Sequence, residues 1–541
     1  MSGKRRLDRY YDDFVALSEL PIVANFTGPV ATMQHSSVNP QGRGRALYEE
    51  IKVHIVDGTY AAGMLLPSTR ACAAERGLSR TTVSAVYEQL AAEGYIETRP
   101  GSASRVAQGA MAPRSRAAFR RPSHLPAKTQ GSRIRLSVVG ERISRLVLPS
   151  MEVPPADVID FVYGPLAGLD FPTLAWMKAS RRIERVRPAR LAYDDPRGDL
   201  GLRRALQAYL ARAKGLSCDV EQLVIVNGSQ QAIDLCARLL LNPGDTAVVE
   251  NPGYRMAHHV FEAVGATLHG IDVDQQGLRT EELEKVSDAR LVFVTPTHQF
   301  PLGAFLTVSR RNALLQWAAK QDAWVIEDDY DSEYRFGVRP EASLQSMDNR
   351  ALVVHVGTFS KTLSPQLRLG YMVLPLRLAA TFAAAKRLAD RHAPSAGQRT
   401  LAGLLESGVY ERHVRRIRRM QHARQSALLT SLQRHLPDRV TVQGAASGLH
   451  VVAWVNDLPY AQEEALVVAA RRERVRVYPL SPFYVADPRI ANKRRPAGLV
   501  LGYALLAPEQ IEIGVRRLSS ALRRLSPHAA PGGPAREAAQ H

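Results

Sequence analysis

Gly357-Thr358-Phe359-Ser360-Lys361-Thr362-Leu363-Ser364-Pro365-Gln366-Leu367-Arg368-Leu369-Gly370-Tyr371 follows an apolar run, Val353-Val354-His355-Val356, that reads as a strand. A lysine just beyond a strand, with hydroxyls before it and an arginine seven residues on, has the parts of a cradle for a phosphorylated aldehyde. The amine can form a Schiff base with pyridoxal 5'-phosphate, while Thr358, Ser360 and Arg368 hold phosphate by charge-assisted hydrogen bonds. On its own, a Ser-Lys pair reads more often as a solvated lysine beside a turn, so the stretch needs the rest of the chain.

Upstream, apolar runs alternate with helical patterns, and each run ends in a polar cluster. Leu223-Val224-Ile225-Val226 leads into Gly228, Ser229 and Gln230 at the start of a helix, where backbone amides and a hydroxyl make a phosphate seat. Thr246-Ala247-Val248-Val249-Glu250 ends near Tyr254, an aromatic able to stack on a pyridine ring. Leu291-Val292-Phe293-Val294 precedes Thr295-Pro296-Thr297-His298-Gln299-Phe300-Pro301. Ala323-Trp324-Val325-Ile326 precedes Glu327-Asp328-Asp329-Tyr330, where Asp328 can pair with a protonated ring nitrogen and Tyr330 can hydrogen-bond a ring phenolate. This alternation argues an α/β fold, a mostly parallel sheet wrapped by helices with its functional groups at strand ends. Each residue also has an ordinary reading, Asp328 as a turn acid and Tyr254 as a turn aromatic; it is the order of six stations that argues for a site.

The N-terminal part reads differently. Leu47, Ile51 and Ile55 recur every four residues and predict a helix that stops near Gly58. Ser68 caps a short helix ended by Gly77; Ser79 caps a third, with Val83, Val86, Tyr87 and Leu90 on one face and Gly94 closing it. Two extended pieces, Tyr95 to Arg99 and Ser104 to Val106, flank Pro100-Gly101-Ser102. Helix, helix, turn, helix and hairpin make a winged helix-turn-helix. Arg80, Thr81 and Thr82, beside Ser79, stand at the start of the third helix, where side chains reach base edges in a major groove. Arg70 is placed to grip a phosphate, and Arg99 and Gly101 belong to the wing.

The 541 residues carry a formal net charge of +19, an excess that favours a polyanionic partner. No run of eighteen apolar residues suggests a membrane span, and the N-terminus has no apolar signal core, so a cytoplasmic location is expected. The 3 cysteines, Cys72, Cys218 and Cys236, are too scattered for a metal cluster, and no metal site is expected. Residues 1–44 are expected to be a poorly ordered extension, with Met33 a second candidate start. Residues 107–146 are rich in arginine with Pro, Ala, Ser and Gly and predict a basic flexible linker; 527–541 predict a disordered tail.

Residues 45–106 resemble the GntR family of transcription regulators, through Leu66-Pro67-Ser68-Thr69-Arg70, Leu78-Ser79-Arg80-Thr81-Thr82-Val83, Tyr87-Glu88-Gln89-Leu90 and Glu93-Gly94-Tyr95-Ile96-Glu97. The wing departs from the family's Gly-Ser-Gly-Thr, reading Gly101-Ser102-Ala103-Ser104. Residues 147–526, with the strand-end stations and Tyr193-Asp194-Asp195-Pro196-Arg197-Gly198, resemble the fold-type I aminotransferases. That resemblance implies a large mostly parallel-sheet domain, a smaller C-terminal α+β domain, pyridoxal 5'-phosphate on Lys361, and a homodimer in which Tyr193 reaches the neighbouring site.

A GntR-type reader joined to an aminotransferase-like domain resembles the MocR subfamily. The resemblance implies a transcription regulator that binds double-stranded operator DNA and senses pyridoxal 5'-phosphate or a small amine or amino-acid effector. The alternative is an active aminotransferase with a vestigial reader. A third reading is a repressor whose large domain binds its effector without the cofactor. In Gly498-Leu499-Val500-Leu501-Gly502-Tyr503, Val500 stands where aminotransferases carry a carboxylate-binding arginine, and a valine cannot form that fork. Arg255, Arg494 and Arg495 are the other candidate anchors.

Overall fold

The computed structural model describes residues 40–99, 102–109, 135–149, 153–186, 192–336, 342–485 and 495–525, and the chain divides into two compact units, Met1–Arg133 and Ile134–His541. In the first unit, helices α1 (Pro40–Val56), α2 (Thr69–Arg76) and α3 (Arg80–Ala92) precede the paired strands β1 (Ile96–Glu97) and β2 (Arg105–Val106). The local signals act as expected. Ser68 Oγ accepts from Ala71 N, Ser79 Oγ accepts from Thr82 N, and Gly77 ends α2 with a left-handed φ of +61°. Leu47, Ile51, Ile55, Val83, Val86, Tyr87 and Leu90 bury together with Ile96 and Val106, so the wing closes the same core as the three helices.

Helix α1 begins at Pro40, five residues before the expected boundary at 45. Proline suits a first helical turn because its missing N–H has no partner there anyway. At Gly44 a Cβ would lie 2.9 Å from Thr82 Cγ2, so a larger residue there would have to displace the Thr82 methyl where α1 approaches α3.

The expected linker is also cut short. Residues 110–134 lie outside the described residues, but Val138–Arg145 is a helix, α4, capped by Ser137 Oγ on Gly140 N. Arg142 Nη1 donates to Val264 O at 3.1 Å, so α4 belongs to the second unit. Its arginines made the stretch look linker-like, yet one of them caps the carbonyl end of the helix Arg255–Val264. The extension to residue 39 and the tail 527–541 lie outside the described residues.

In the second unit, strand β3 (Ile159–Asp160) precedes β4 (Leu223–Val226), β5 (Thr246–Asn251), β6 (Thr267–Asp274), β7 (Gly277–Leu278), β8 (Ala289–Val294), β9 (Trp324–Asp329), β10 (Val353–Thr358) and β11 (Gly370–Val373). Strands β4 to β11 form one sheet in the order β4-β11-β10-β9-β8-β5-β6-β7. Pairs β10–β9, β9–β8, β8–β5 and β5–β6 are parallel, whereas β11 runs antiparallel to both neighbours and β7 antiparallel to β6. Both faces are covered. Val224, Val226, Ile326, Val354 and Val356 pack with Ile233 and Leu235 of helix α5 (Ser229–Leu240), while Val248, Val292, Val325 and Val353 pack on the opposite face with Leu314 and Trp317. Burial on both faces explains why these strands read as continuous apolar runs.

The long helix α6 (Val409–His435) leads to an antiparallel sheet of β12 (Val440–Gln443), β13 (His450–Pro459), β15 (Tyr478–Pro479) and β16 (Pro496–Gly502); β14 (Val475–Arg476) pairs with β3 instead. Between the two sheets lies an aromatic layer of Phe300, Phe483, Tyr163, Tyr254, Tyr330 and Tyr478 with Val452 and Val500.

Candidate cofactor site

The strand ends β4, β5, β8, β9 and β10 converge on a cavity of about 450 Å³. It is lined by Ser229, Gln230, Tyr254, Asp328, Tyr330, Thr358, Ser360, Lys361 and Arg368, so nearly all the stations expected from the sequence meet in one place. Gly228, at the mouth of α5, adopts a φ of +81°, and a Cβ on it would lie 2.7 Å from Arg368 Nη2. Glycine therefore lets the arginine lie against the first turn of α5, and Arg368 Nη2 donates to Asn227 O at 2.6 Å. The open helix N-terminus and the guanidinium give one positive corner. Thr358 Oγ1 accepts from Ser360 N at 3.1 Å and so shapes the turn that carries Lys361.

Lys361 Nζ donates to Gly164 O at 2.9 Å, and Gly164 itself has a φ of +104°. Burial lowers the lysine's pKa from its ordinary value, against the attraction of Asp331 and Asp328. Asp328 is 3% exposed, and its Oδ1 is buried without a hydrogen-bond partner. Burial pushes its pKa up to about 7, helped by the Asp329 carboxylate and opposed by His355 and Lys361. A carboxylate in that position lacks a donor.

The next residue faces the other way, as strand alternation requires. Asp329 Oδ2 accepts from Lys214 Nζ at 2.7 Å, and Glu333 Oε1 lies 2.9 Å from the same ammonium. Burial opposes the charge on Lys214, but the two carboxylates outweigh it and hold its pKa well above the usual value. Tyr330, next again, returns to the cavity side and sits 2.9 Å from His298 Nδ1.

Several residues of the site carried no legible signal. Tyr163 and Gly164 come from the segment after β3, and His450 opens β13; all three line the cavity. Tyr193 lies elsewhere: it is 75% exposed, with the Arg391 guanidinium 5.2 Å from its ring centre. Val500 is fully buried in the aromatic layer, opposite Val452 and Tyr478 across the sheet. Among the candidate anchors, Arg255 lines the cavity but donates to His259 Nε2 and Val147 O. Arg495 lies over the rings of Tyr460 and Tyr484 and lines a different groove; Arg494 lies outside the described residues.

In the first unit, Arg70, Ser79, Arg80, Thr81 and Arg99 are exposed. Ser79 caps α3 as expected, and its hydroxyl also lies 2.8 Å from Thr81 Oγ1 and 2.7 Å from Thr82 Oγ1. Thr82 is half-buried against α1, whereas Arg80 and Thr81 are exposed at the start of α3. Gly101 lies outside the described residues.

Residues 156–518 match the aminotransferase class I and II family model, and residues 43–106 match that of the bacterial regulatory proteins of the gntR family. Over 486 residues the chain is 35% identical to the probable rhizopine catabolism regulatory protein MocR of Rhizobium meliloti, covering 89% of this chain and 94% of that one. It is 32% identical over 494 residues to the HTH-type transcriptional regulator TauR of Rhodobacter capsulatus, covering 90% and 98%. Among solved structures, it is similar to Thermus thermophilus LysN, an α-aminoadipate aminotransferase complexed with N-(5'-phosphopyridoxyl)-L-leucine, with a TM-score of 0.61, 30% identity and coverage of 73% and 96%. The kynurenine aminotransferase of Pyrococcus horikoshii matches with a TM-score of 0.63, 27% identity and coverage of 72% and 95%. With a gntR-type reader in front of a class I and II aminotransferase domain, and regulators matched along almost their whole length, the chain belongs to the MocR-type transcription regulators of the gntR family.

Proposed function

We propose that the second unit binds pyridoxal 5'-phosphate in the cavity at Lys361 and uses it to sense a small amine or amino acid, while the first unit holds operator DNA. The observation that carries this reading is Asp328, a buried carboxyl with one oxygen lacking any donor, facing the same cavity as the half-buried Lys361. A protonated pyridine nitrogen is the donor that such a carboxylate lacks. The first turn of α5, with Ser229, Gln230, Thr358 and Ser360 around it and the Arg368 guanidinium seated against Gly228, fits a phosphate. When bound, the cofactor supplies an aldehyde for a primary amine and an electron-withdrawing ring.

Each side chain then has a definite task. Lys361 attaches the cofactor; burial lowers its pKa and so favours the neutral, nucleophilic amine. Tyr254 and Tyr163 enclose it from the aromatic layer and exclude water. Val500 leaves the floor of that layer apolar, which favours sensing over turnover of ordinary amino acids. Tyr193, exposed on its own subunit, fits a contribution to a partner's cavity in a homodimer. Arg80 and Thr81 would read base edges, with Arg70 and Arg99 on phosphates.

The test uses the full chain loaded with pyridoxal 5'-phosphate. Wild type should gain a visible absorbance band that Lys361→Ala lacks, and a footprint upstream of its own gene should change when cofactor or a candidate amine is added. Wild type that acquires no band after supplementation would refute the cofactor assignment. Steady conversion of amino acid and keto acid with no footprint would instead favour the aminotransferase.

A further inference from the structure

The loop after β8 and the end of β9 bring three polar side chains together. His298 Nδ1 lies 2.9 Å from Asp331 Oδ2 and 2.9 Å from Tyr330 Oη. His298 and Asp331 are each 1% exposed, whereas Tyr330 lines the cavity. The imidazole occupies a room built for it. A Cβ on Gly448, whose φ is +86°, would lie 2.0 Å from His298 Cε1, and one on Gly303, whose φ is +74°, would lie 3.0 Å from Nε2.

Nδ1 carries either one hydrogen or one lone pair, so its two neighbours cannot both be served alike. A hydrogen on Nδ1 points to the Asp331 carboxylate and is shared with Tyr330 Oη. The lone pair then falls on Nε2, which is buried without a partner, and an orphaned acceptor is tolerated more readily than an orphaned N–H. The Asp331 carboxylate also faces the phenol directly. With Nδ1–H bonded to Oδ2 and shared with Tyr330 Oη, the phenolic oxygen is an acceptor toward the ring, and its own hydrogen turns away from the imidazole.

We propose that His298, its tautomer fixed by Asp331, is a positioning residue that keeps the Tyr330 hydrogen directed into the cavity as a donor to the ring oxygen of bound pyridoxal 5'-phosphate. The inference rests on the cofactor reading above. The other ionisable groups facing the cluster are Asp328, Glu250, Lys361, His450, Tyr334 and Tyr503, and all stay in place in the variants below.

The experiment titrates the visible absorbance of the loaded full chain against pH. A donor to the ring oxygen favours the form that has lost the imine proton, so removing it raises the midpoint. Tyr330→Phe and His298→Leu should each raise the midpoint, by about 1 pH unit or about tenfold in the equilibrium. The double variant should move no further than Tyr330→Phe alone. His298→Asn, whose amide N–H overlays Nδ1, should return most of the shift. His298→Gln, whose amide overlays Nε2, should not, and it replaces His298→Leu should the latter fail to fold. A wild-type midpoint in His298→Leu or His298→Gln beside a shifted Tyr330→Phe overturns the inference alone, as does His298→Asn behaving like His298→Gln. A wild type without a band overturns it together with the cofactor reading.

Discussion

Replacing Asp328 by asparagine should stabilise the cofactor-free protein at alkaline pH while weakening its hold on pyridoxal 5'-phosphate. Folded Asp328 keeps its proton up to about pH 7; an unfolded aspartate loses it at about pH 3.9. Between those values the native state binds more protons than the unfolded chain, so stability falls as pH rises across the interval and levels off above it. Three pH units correspond to about 4 kcal/mol. Asparagine keeps the shape without that slope. The stability difference between Asp328→Asn and wild type should therefore grow by about 4 kcal/mol in favour of the variant from pH 4 to pH 8. Glu250, also pushed up to about 7 by burial, titrates in both proteins and cancels from the difference. The assay is urea unfolding followed by tryptophan fluorescence. All 4 tryptophans, Trp176, Trp317, Trp324 and Trp454, lie in the second unit, so the signal reports on the unit that holds Asp328. Saturating pyridoxal 5'-phosphate should reverse the order at pH 8, because only the wild type gains the pyridinium pair. A stability difference that stays flat with pH, or a variant that gains as much from the cofactor as wild type, would refute the reasoning.

Other substitutions probe neighbouring features. Lys214→Met strands the Asp329 and Glu333 carboxylates inside the unit and should cost about 3 to 5 kcal/mol in the same unfolding assay. Gly448→Ala meets both the His298 ring and a left-handed backbone, and should cost at least about 2 kcal/mol, read as a lower melting temperature. In the reader, Ser79→Ala should lose about 1 kcal/mol of stability through the lost cap, measurable on the full chain by amide exchange in α3. Arg80→Ala should leave that stability intact and cost about 1 to 3 kcal/mol at the operator in a fluorescence-anisotropy titration; unchanged affinity would remove Arg80 from base readout.

Much of this was legible from sequence because the signals are local. Ser68, Ser79 and Gly77 mark helix ends through contacts within three or four residues, and the strands that both faces bury read as plain apolar runs. The stations Gly228, Tyr254, Asp328 and Lys361 each lie at or shortly after the end of such a strand. What escaped was assembled at a distance. Tyr163 and Gly164 reach Lys361 across almost two hundred residues of chain, and no pattern around them announces it. The His298–Asp331–Tyr330 cluster joins two loops, and its enabling residues are glycines whose meaning depends on what lies opposite. Helix α4 was hidden for another reason: arginine-rich composition signals solvent on average, whereas Arg142 spends its charge on a carbonyl of the folded unit.

The alternation at the tip of β9 has a further consequence. Successive carboxyls there sit in two electrically different compartments: the first keeps its proton up to about pH 7, and the second is ionised against the Lys214 ammonium. Both residues are aspartates, so the difference in charge comes from their surroundings alone, the aromatic chamber on one face of the strand and the Lys214 ammonium on the other. A cation placed on the cavity side is thereby met by an acid that can give up its proton, while the opposite face of the same strand tip stays committed to its ion pair.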